Sequence, residues 1–259
     1  MTKEIALVLS SGGARGLAHI GAIEELEAQG FRITSIAGCS MGALIGGVYA
    51  AGKLEDFREW MKTIDRKKML ELTDFSLSLN HLVKGTRIIE AIMEFVPDVP
   101  IEELRIPYCA VATDWKKGHE VVFREGSLFQ AIRASISLPA FYEPVKRDGM
   151  ILIDGGVTNP IPLNRVVRHD GDLLVGIDVS GHDYEAQSIS HFNHYTMLSR
   201  VSSLMIRQNS ILMAQLMKPD ILVDIQMSRY GGFDYDKSKK LIAIGRQKTQ
   251  QAIKKYLSE

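Results

Sequence analysis

Ile5-Ala6-Leu7-Val8-Leu9 is an unbroken apolar run that stops abruptly at a cluster of small residues. A strand with one wet face would alternate, so an unbroken run of this length predicts a strand covered on both faces of a parallel sheet. Glycines follow at once in Ser11-Gly12-Gly13-Ala14-Arg15-Gly16. Leu17, Ile20, Ile23 and Leu26 then recur at helical spacing up to Gln29, and Gly30 supplies a stop. Ile33 to Ala37 begins the pattern again, turns at Gly38-Cys39-Ser40-Met41-Gly42, and continues as a helix that ends near Gly52. Two successive strand–turn–helix units predict an α/β protein built on a mostly parallel sheet, with both turns as neighbours along one edge.

Residues 54 to 96 read as mainly helical, with Leu54, Phe57, Met61 and Ile64 on one face and Ile88, Ile89, Ile92 and Phe95 on another. Between them Leu77 to Gly85 follows no period; residues 65 to 85 read equally as a lid or as an ordinary connection. Strands are predicted at Tyr108 to Thr113, His119 to Phe123, Met150 to Ile153, Leu173 to Val179 and Ile221 to Val223. A long helix is predicted around Ser199 to Met217 and a last one from about Asp236 to Leu257. No linker or repeat interrupts this order, so residues 1–259 are expected to form a single domain.

Lysine plus arginine and aspartate plus glutamate number 31 each, so no net field draws in nucleic acid, and any membrane contact must be local. Cys39 and Cys109 have small or apolar neighbours and read as buried free thiols in a reducing compartment. The first apolar run is too short for a signal peptide or a membrane span. The expected location is therefore cytoplasmic, with contact to the inner membrane face at most peripheral. No His-Glu-x-x-His, Cys-x-x-Cys or acidic calcium loop occurs, and no metal or cofactor is expected.

Gly38-Cys39-Ser40-Met41-Gly42 has the Gly-x-Ser-x-Gly form of a nucleophile elbow, a tight turn that lifts a serine Oγ out at the top of a sheet. The pattern alone is a weak signal. Its context strengthens it, because it follows an apolar strand and precedes a helix whose positive end faces Ser40. The glycine loop from Gly12 through Gly13, Ala14 and Arg15 to Gly16 then offers backbone N–H groups for an oxyanion hole. A dinucleotide fingerprint would want glycine at Ser11 and an acid ending the second strand, and a P-loop would want Gly-Lys-Ser or Gly-Lys-Thr; neither is present.

A serine nucleophile needs a base. His19, His81, His169, His182, His191 and His194 lie in helices or polar stretches without a turn signature, and ordinary surface or helix-face histidines account for them better. Ile151-Leu152-Ile153-Asp154-Gly155-Gly156 instead ends an apolar strand in a carboxylate with two uncrowded glycines behind it. Asp114 and Asp178 also end strands, and a turn-forming aspartate would look the same, so position alone does not select Asp154.

Taken in order, the glycine loop, the Ser40 pentapeptide, Asp154-Gly155-Gly156 and the stretch Ala134-Ser135-Ile136-Ser137-Leu138-Pro139 resemble the patatin-like phospholipases, in their bacterial single-domain form. The resemblance covers residues 4 to 180, with helices from about 190 to 259 packed on that core. It implies a three-layer α/β/α fold in which a Ser–Asp dyad cleaves acyl esters of lipids through an acyl-enzyme, without histidine. It carries over Ser40 as nucleophile, Asp154 as proton acceptor and Gly12 to Gly16 as oxyanion loop, with Gly38, Gly42, Gly155 and Gly156 supporting the turns. Ser11 departs from the glycine usual there. Arg15 matches the family's basic residue, either bracing the turn or binding a phosphate head group.

Two other functions remain open at this level: a Ser–His–Asp esterase, and a regulatory protein that keeps the fold with little turnover. The expected partner is an acyl-lipid or ester substrate, with peripheral membrane contact and a homo-oligomer left open. The apolar helix of Ser199 to Met217 reads first as core, and second as a dimer seam or membrane contact. The lysines of the last helix read as a solvated face, with docking to anionic lipid the alternative.

Overall fold

A computed structural model describes residues 3–72, 86–139, 141–181 and 194–258. Strand β1 (Lys3–Leu9) buries every residue from Ile5 to Leu9, as its unbroken apolar run demands. It is flanked by two parallel neighbours, β2 (Phe31–Cys39) and β7 (Leu173–Gly181). Beyond β2 lies β3 (Tyr108–Asp114) and beyond β7 lies β8 (Ile221–Gln226), both still parallel. The remaining strands, β4 (His119–Phe123), β5 (Val145–Arg147) and β6 (Met150–Asp154), are antiparallel additions at the β3 side. The eight-stranded sheet thus runs β5-β6-β3-β2-β1-β7-β8, with β4 paired to β3.

Helices cover both faces, so the fold is the expected three-layer α/β/α arrangement. On one face Ile5, Leu7 and Leu9 join a large core shared by α1 (Ala18–Ala28), α2 (Met41–Ala50), α3 (Leu54–Lys62), α6 (Leu128–Ser135) and α8 (Ser238–Ser258). Phe57, Met61 and Ile64 are buried in it, as their spacing predicts. Two short helices, α4 (Arg66–Leu72) and α5 (Thr86–Met93), lie between α3 and β3, and most of the 65–85 segment read as a lid or connection falls outside the described residues. On the other face Val8, Ala37, Cys109 and Leu174 form a smaller core with Ile161 and Leu163, against which α7 (His194–Met217) sets Met213, Ala214 and Met217. Both cysteines are free and buried. Among the described residues no helix is long and apolar enough to cross a membrane.

Besides short 3-10 turns, the structure adds a strand and a helix to those read from the sequence, the three-residue β5 and α6. It also alters the reading of α7 as core: no described residue before Ser210 is buried, and Leu198, Val201 and Met205 face outward.

Candidate active site

Strand β3 explains how positions far apart in sequence meet. One side of β3 pairs with β2 as far as Cys39↔Val111, and the next residue of β3 pairs with a different strand, Ala112↔Asp154 of β6. Its other side is occupied by β4 over the same residues. β2 and β6 therefore abut end to end along β3. The residue that leaves β2 is Ser40, and the residue that ends β6 is Asp154. The Ser40 hydroxyl donates to Asp154 Oδ2 at 2.5 Å, and both side chains are buried.

Ser40 has φ 52° and ψ −121°, a left-handed backbone that a non-glycine residue adopts only at a cost of about 1–3 kcal/mol. Two contacts offset it. The Ser40 N–H donates to Ser135 Oγ at 2.8 Å, and that hydroxyl donates onward to the Val111 carbonyl at 2.6 Å. On the helix side the Ser40 carbonyl accepts the Leu44 N–H at 3.1 Å, so the turn runs straight into α2 with its positive end at Ser40. Gly42 permits this tightness, because a Cβ there would lie 2.2 Å from the Leu9 carbonyl oxygen. Gly38, paired with Leu9 and Ala110, closes the strand before the turn.

Asp154 is fixed by its neighbours. Its Oδ1 accepts the Gly156 N–H at 2.7 Å, within the 3-10 turn Gly155–Val157 that the two glycines form. Its own N–H donates to Ser137 O at 2.9 Å, and its carbonyl accepts the Thr113 hydroxyl at 3.0 Å. Burial raises the carboxyl pKa from 3.8 to about 6, against the opposing hydrogen bonds from Ser40 and Gly156. The group is thus ionised at neutral pH yet markedly more basic than an exposed carboxylate. The neighbouring Cys39 thiol is pushed well above its usual range by burial, with the Asp154 charge adding to it, so it stays protonated and is no rival nucleophile.

The glycine loop lies beside this pair because β1 and β2 are in register, Leu9↔Gly38. A Cβ on Gly16 would fall 2.3 Å from Met41 Cγ, so the loop packs directly against the start of α2. Gly12 and Gly13 have amides with no acceptor among the described residues. The Ala14 amide, expected among the oxyanion donors, instead donates to Gly232 O at 2.7 Å. The amides of Arg15 and Gly16 lie within the 3-10 turn Gly13–Leu17, which directs them onto the loop itself. The Arg15 side chain braces the turn by donating from Nε to Gly12 O at 3.2 Å. Ser11 takes the place of the usual glycine with its N–H on Pro160 O at 2.8 Å.

The family model for patatin-like phospholipase matches residues 7–167, a span that holds the glycine loop, Ser40, Ser135 and Asp154. The chain belongs to the patatin-like phospholipase family. An uncharacterized NTE family protein of Mycobacterium tuberculosis is 44% identical over 180 residues, 70% of this chain and 50% of the relative. Neuropathy target esterase sws of Drosophila melanogaster is 32% identical over 188 residues, 70% of this chain and 13% of that protein. The chain therefore spans half the length, or much less, of these relatives. Among solved structures, VipD from Legionella pneumophila superposes with a TM-score of 0.54 at 14% identity, covering 98% of this chain and 67% of that one, which is a likeness of fold.

For a patatin-like chain the histidines matter by where they stand. His169 bonds to Asp172, which also accepts from Thr34 near the amino end of the sheet, opposite Ser40. His19 lies under the glycine loop with Nε2 on the Ser10 carbonyl at 2.9 Å, and burial depresses its pKa to about 4, so it is neutral and donates from Nε2. His81, His182 and His191 and the His194 side chain fall outside the described residues. Ser135 is the residue that sequence reasoning passed over: it lay inside a stretch quoted only for its resemblance, and its hydroxyl turns out to hold the Ser40 amide.

Proposed function

We propose that this chain hydrolyses acyl esters of lipids, phospholipids or lysophospholipids, through a Ser40–Asp154 dyad. The observation that carries the reading is the 2.5 Å hydrogen bond from the Ser40 hydroxyl to a buried, raised-pKa carboxylate at the mouth of a nucleophile elbow. Ser40 Oγ attacks the ester carbonyl carbon while its proton passes to Asp154 Oδ2. The carbonyl oxygen becomes an oxyanion, for which the Gly12 and Gly13 amides, with no acceptor among the described residues, are the donors, helped by the positive end of α2. Collapse breaks the bond to the alcohol, which leaves with the proton from Asp154. A water molecule then attacks the acyl-enzyme as Asp154 takes its proton, and the proton returns to Ser40 Oγ as the fatty acid departs.

Family membership and the esterase and phospholipase names of the relatives support lipid esters as the substrate class. A fluorophosphonate probe should label Ser40 alone, and Ser40→Ala should abolish both labelling and release of fatty acid from phospholipid. Labelling elsewhere, or full hydrolysis by Ser40→Ala, would refute the dyad. Asp154→Asn should be inactive as well, whereas loss of activity on changing a histidine at an unaltered Asp154 would favour a histidine base.

A further inference from the structure

We infer that the carboxyl edge of the sheet, where the dyad opens, is a docking face for a bilayer containing anionic phospholipid. Two projections flank Ser40 there. On one side α7 runs antiparallel to β7: Ser210 lies beside Ser180 at 3.3 Å near the carboxyl end of the strand, and Asp220, just past the helix, accepts the Leu174 N–H at 2.7 Å at its amino end, while the long Arg207 side chain reaches back to Asp178 Oδ2 at 2.9 Å. β7 ends at Gly181, so the part of α7 from His194 to Ile206 continues past the sheet for about 20 Å at ~1.5 Å per residue. This part exposes Met197, Leu198, Val201, Leu204 and Met205, with Leu198 68% and Met205 64% accessible. Such a row is what a globular protein ordinarily hides.

On the other side β3 outruns β2, because Cys39 is level with Val111 while β3 continues to Asp114. Its tip carries Trp115, 65% exposed, followed by exposed Lys116 and Lys117. An aromatic ring with lysines beside it is the composition that settles at the boundary between head groups and acyl chains. The whole of α7 from His194 to Met217 contains no aspartate or glutamate, so no carboxylate on it opposes an anionic surface. A second copy of the chain seated across this edge would cover Ser40, whereas a bilayer brings ester groups to it.

This inference rests on the lipid-hydrolase reading for its choice of partner, but binding can be measured without catalysis. The full chain carrying Ser40→Ala should co-sediment with vesicles of phosphatidylcholine and phosphatidylglycerol, and less with phosphatidylcholine alone. Adding Leu198→Ser and Met205→Ser should lower the partition coefficient by roughly tenfold or more. With Ser40 restored, the same two changes should leave hydrolysis of a water-soluble short-chain ester as in the wild type, which also reports that the variant is folded. Lys116→Ser with Lys117→Ser should remove the preference for phosphatidylglycerol. Absence of vesicle binding, or binding unmoved by the α7 changes, would overturn the docking face. So would ultracentrifugation that finds a dimer dissociated by those changes, since the face would then belong to a second copy. Vesicle binding with no ester hydrolysis by the native chain would leave the docking face standing and defeat the catalytic reading alone.

Discussion

Replacing Asp154 by asparagine should make the protein more stable at neutral pH while removing its activity. The carboxyl ionises near 3.8 when solvated and near 6 in the folded chain, with burial the main cause. Each tenfold difference in proton affinity is worth about 1.4 kcal/mol, so holding Asp154 ionised costs the fold about 3 kcal/mol at pH 7 and above. The sign follows from proton binding. Between about pH 4 and pH 6 the folded state binds more protons than the unfolded one, so the stability of the wild type is undiminished below about 4 and falls as pH rises to about 6. Asparagine does not titrate, and its Oδ1 can still accept the Gly156 N–H while its Nδ2 donates to Ser40 Oγ. Urea unfolding of both proteins from pH 4 to pH 8 should give curves that converge at the acid end and separate by up to about 3 kcal/mol at the alkaline end. His19, buried and held near 4, loses stability in the opposite sense as pH falls from 6.5, but it is common to both proteins and cancels in the difference. The kcat/KM of the wild type should rise with pH through one ionisation near 6. Parallel unfolding curves, or a variant less stable than wild type at pH 8, would show that desolvation of Asp154 is not what raises its proton affinity.

Three further outcomes follow from the elbow and its supports. Ser40→Gly should raise stability by about 1 kcal/mol in urea unfolding by releasing the φ 52° strain, with no ester hydrolysis left. Ser135→Ala strands the buried Ser40 amide and Val111 carbonyl, and should cost about 1–3 kcal/mol of stability together with a reduction of kcat/KM of about tenfold or more. Gly42→Ala must push the Leu9 carbonyl away from a Cβ at 2.2 Å, and should lower the unfolding free energy by more than about 3 kcal/mol or prevent recovery of folded protein, as read by circular dichroism.

The parts of this molecule that were legible in the sequence are those written locally. An unbroken apolar run, a glycine turn and a helical period lie within thirty or so neighbouring residues, and they announced β1, α1, β2, α2 and the position of Ser40. The α6 helix was also written locally, with Ser127 as its N-cap on the Gln130 amide and Leu128, Ala131, Ile132 and Ser135 at helical spacing, but the stretch was read only as a motif. What the sequence could not carry is register. Nothing near Asp154 says that it pairs with Ala112, one step beyond the residue that pairs with Cys39, and that single step brings Ser40 and Asp154 together. The Ala14 amide lies beyond local reading for the same reason, since the carbonyl that occupies it belongs to Gly232, far along the chain. The α7 periodicity counted apolar faces correctly, yet periodicity does not tell where the neighbouring layer stops, and the helix outruns it.

On the proposed dyad, the splice on β3 makes hydrolysis depend on both halves of the sheet. Ser40 belongs to the parallel half of the sheet and Asp154 to the antiparallel corner, and only a β3 strand already zipped to both halves aligns them. Without β6 paired to β3, Ser40 has no carboxylate beside it, so on the proposed dyad a chain with only its first two strand–turn–helix units in place would have no base. On that reading turnover would report the pairing of β3 to both strands, which helix or strand content does not.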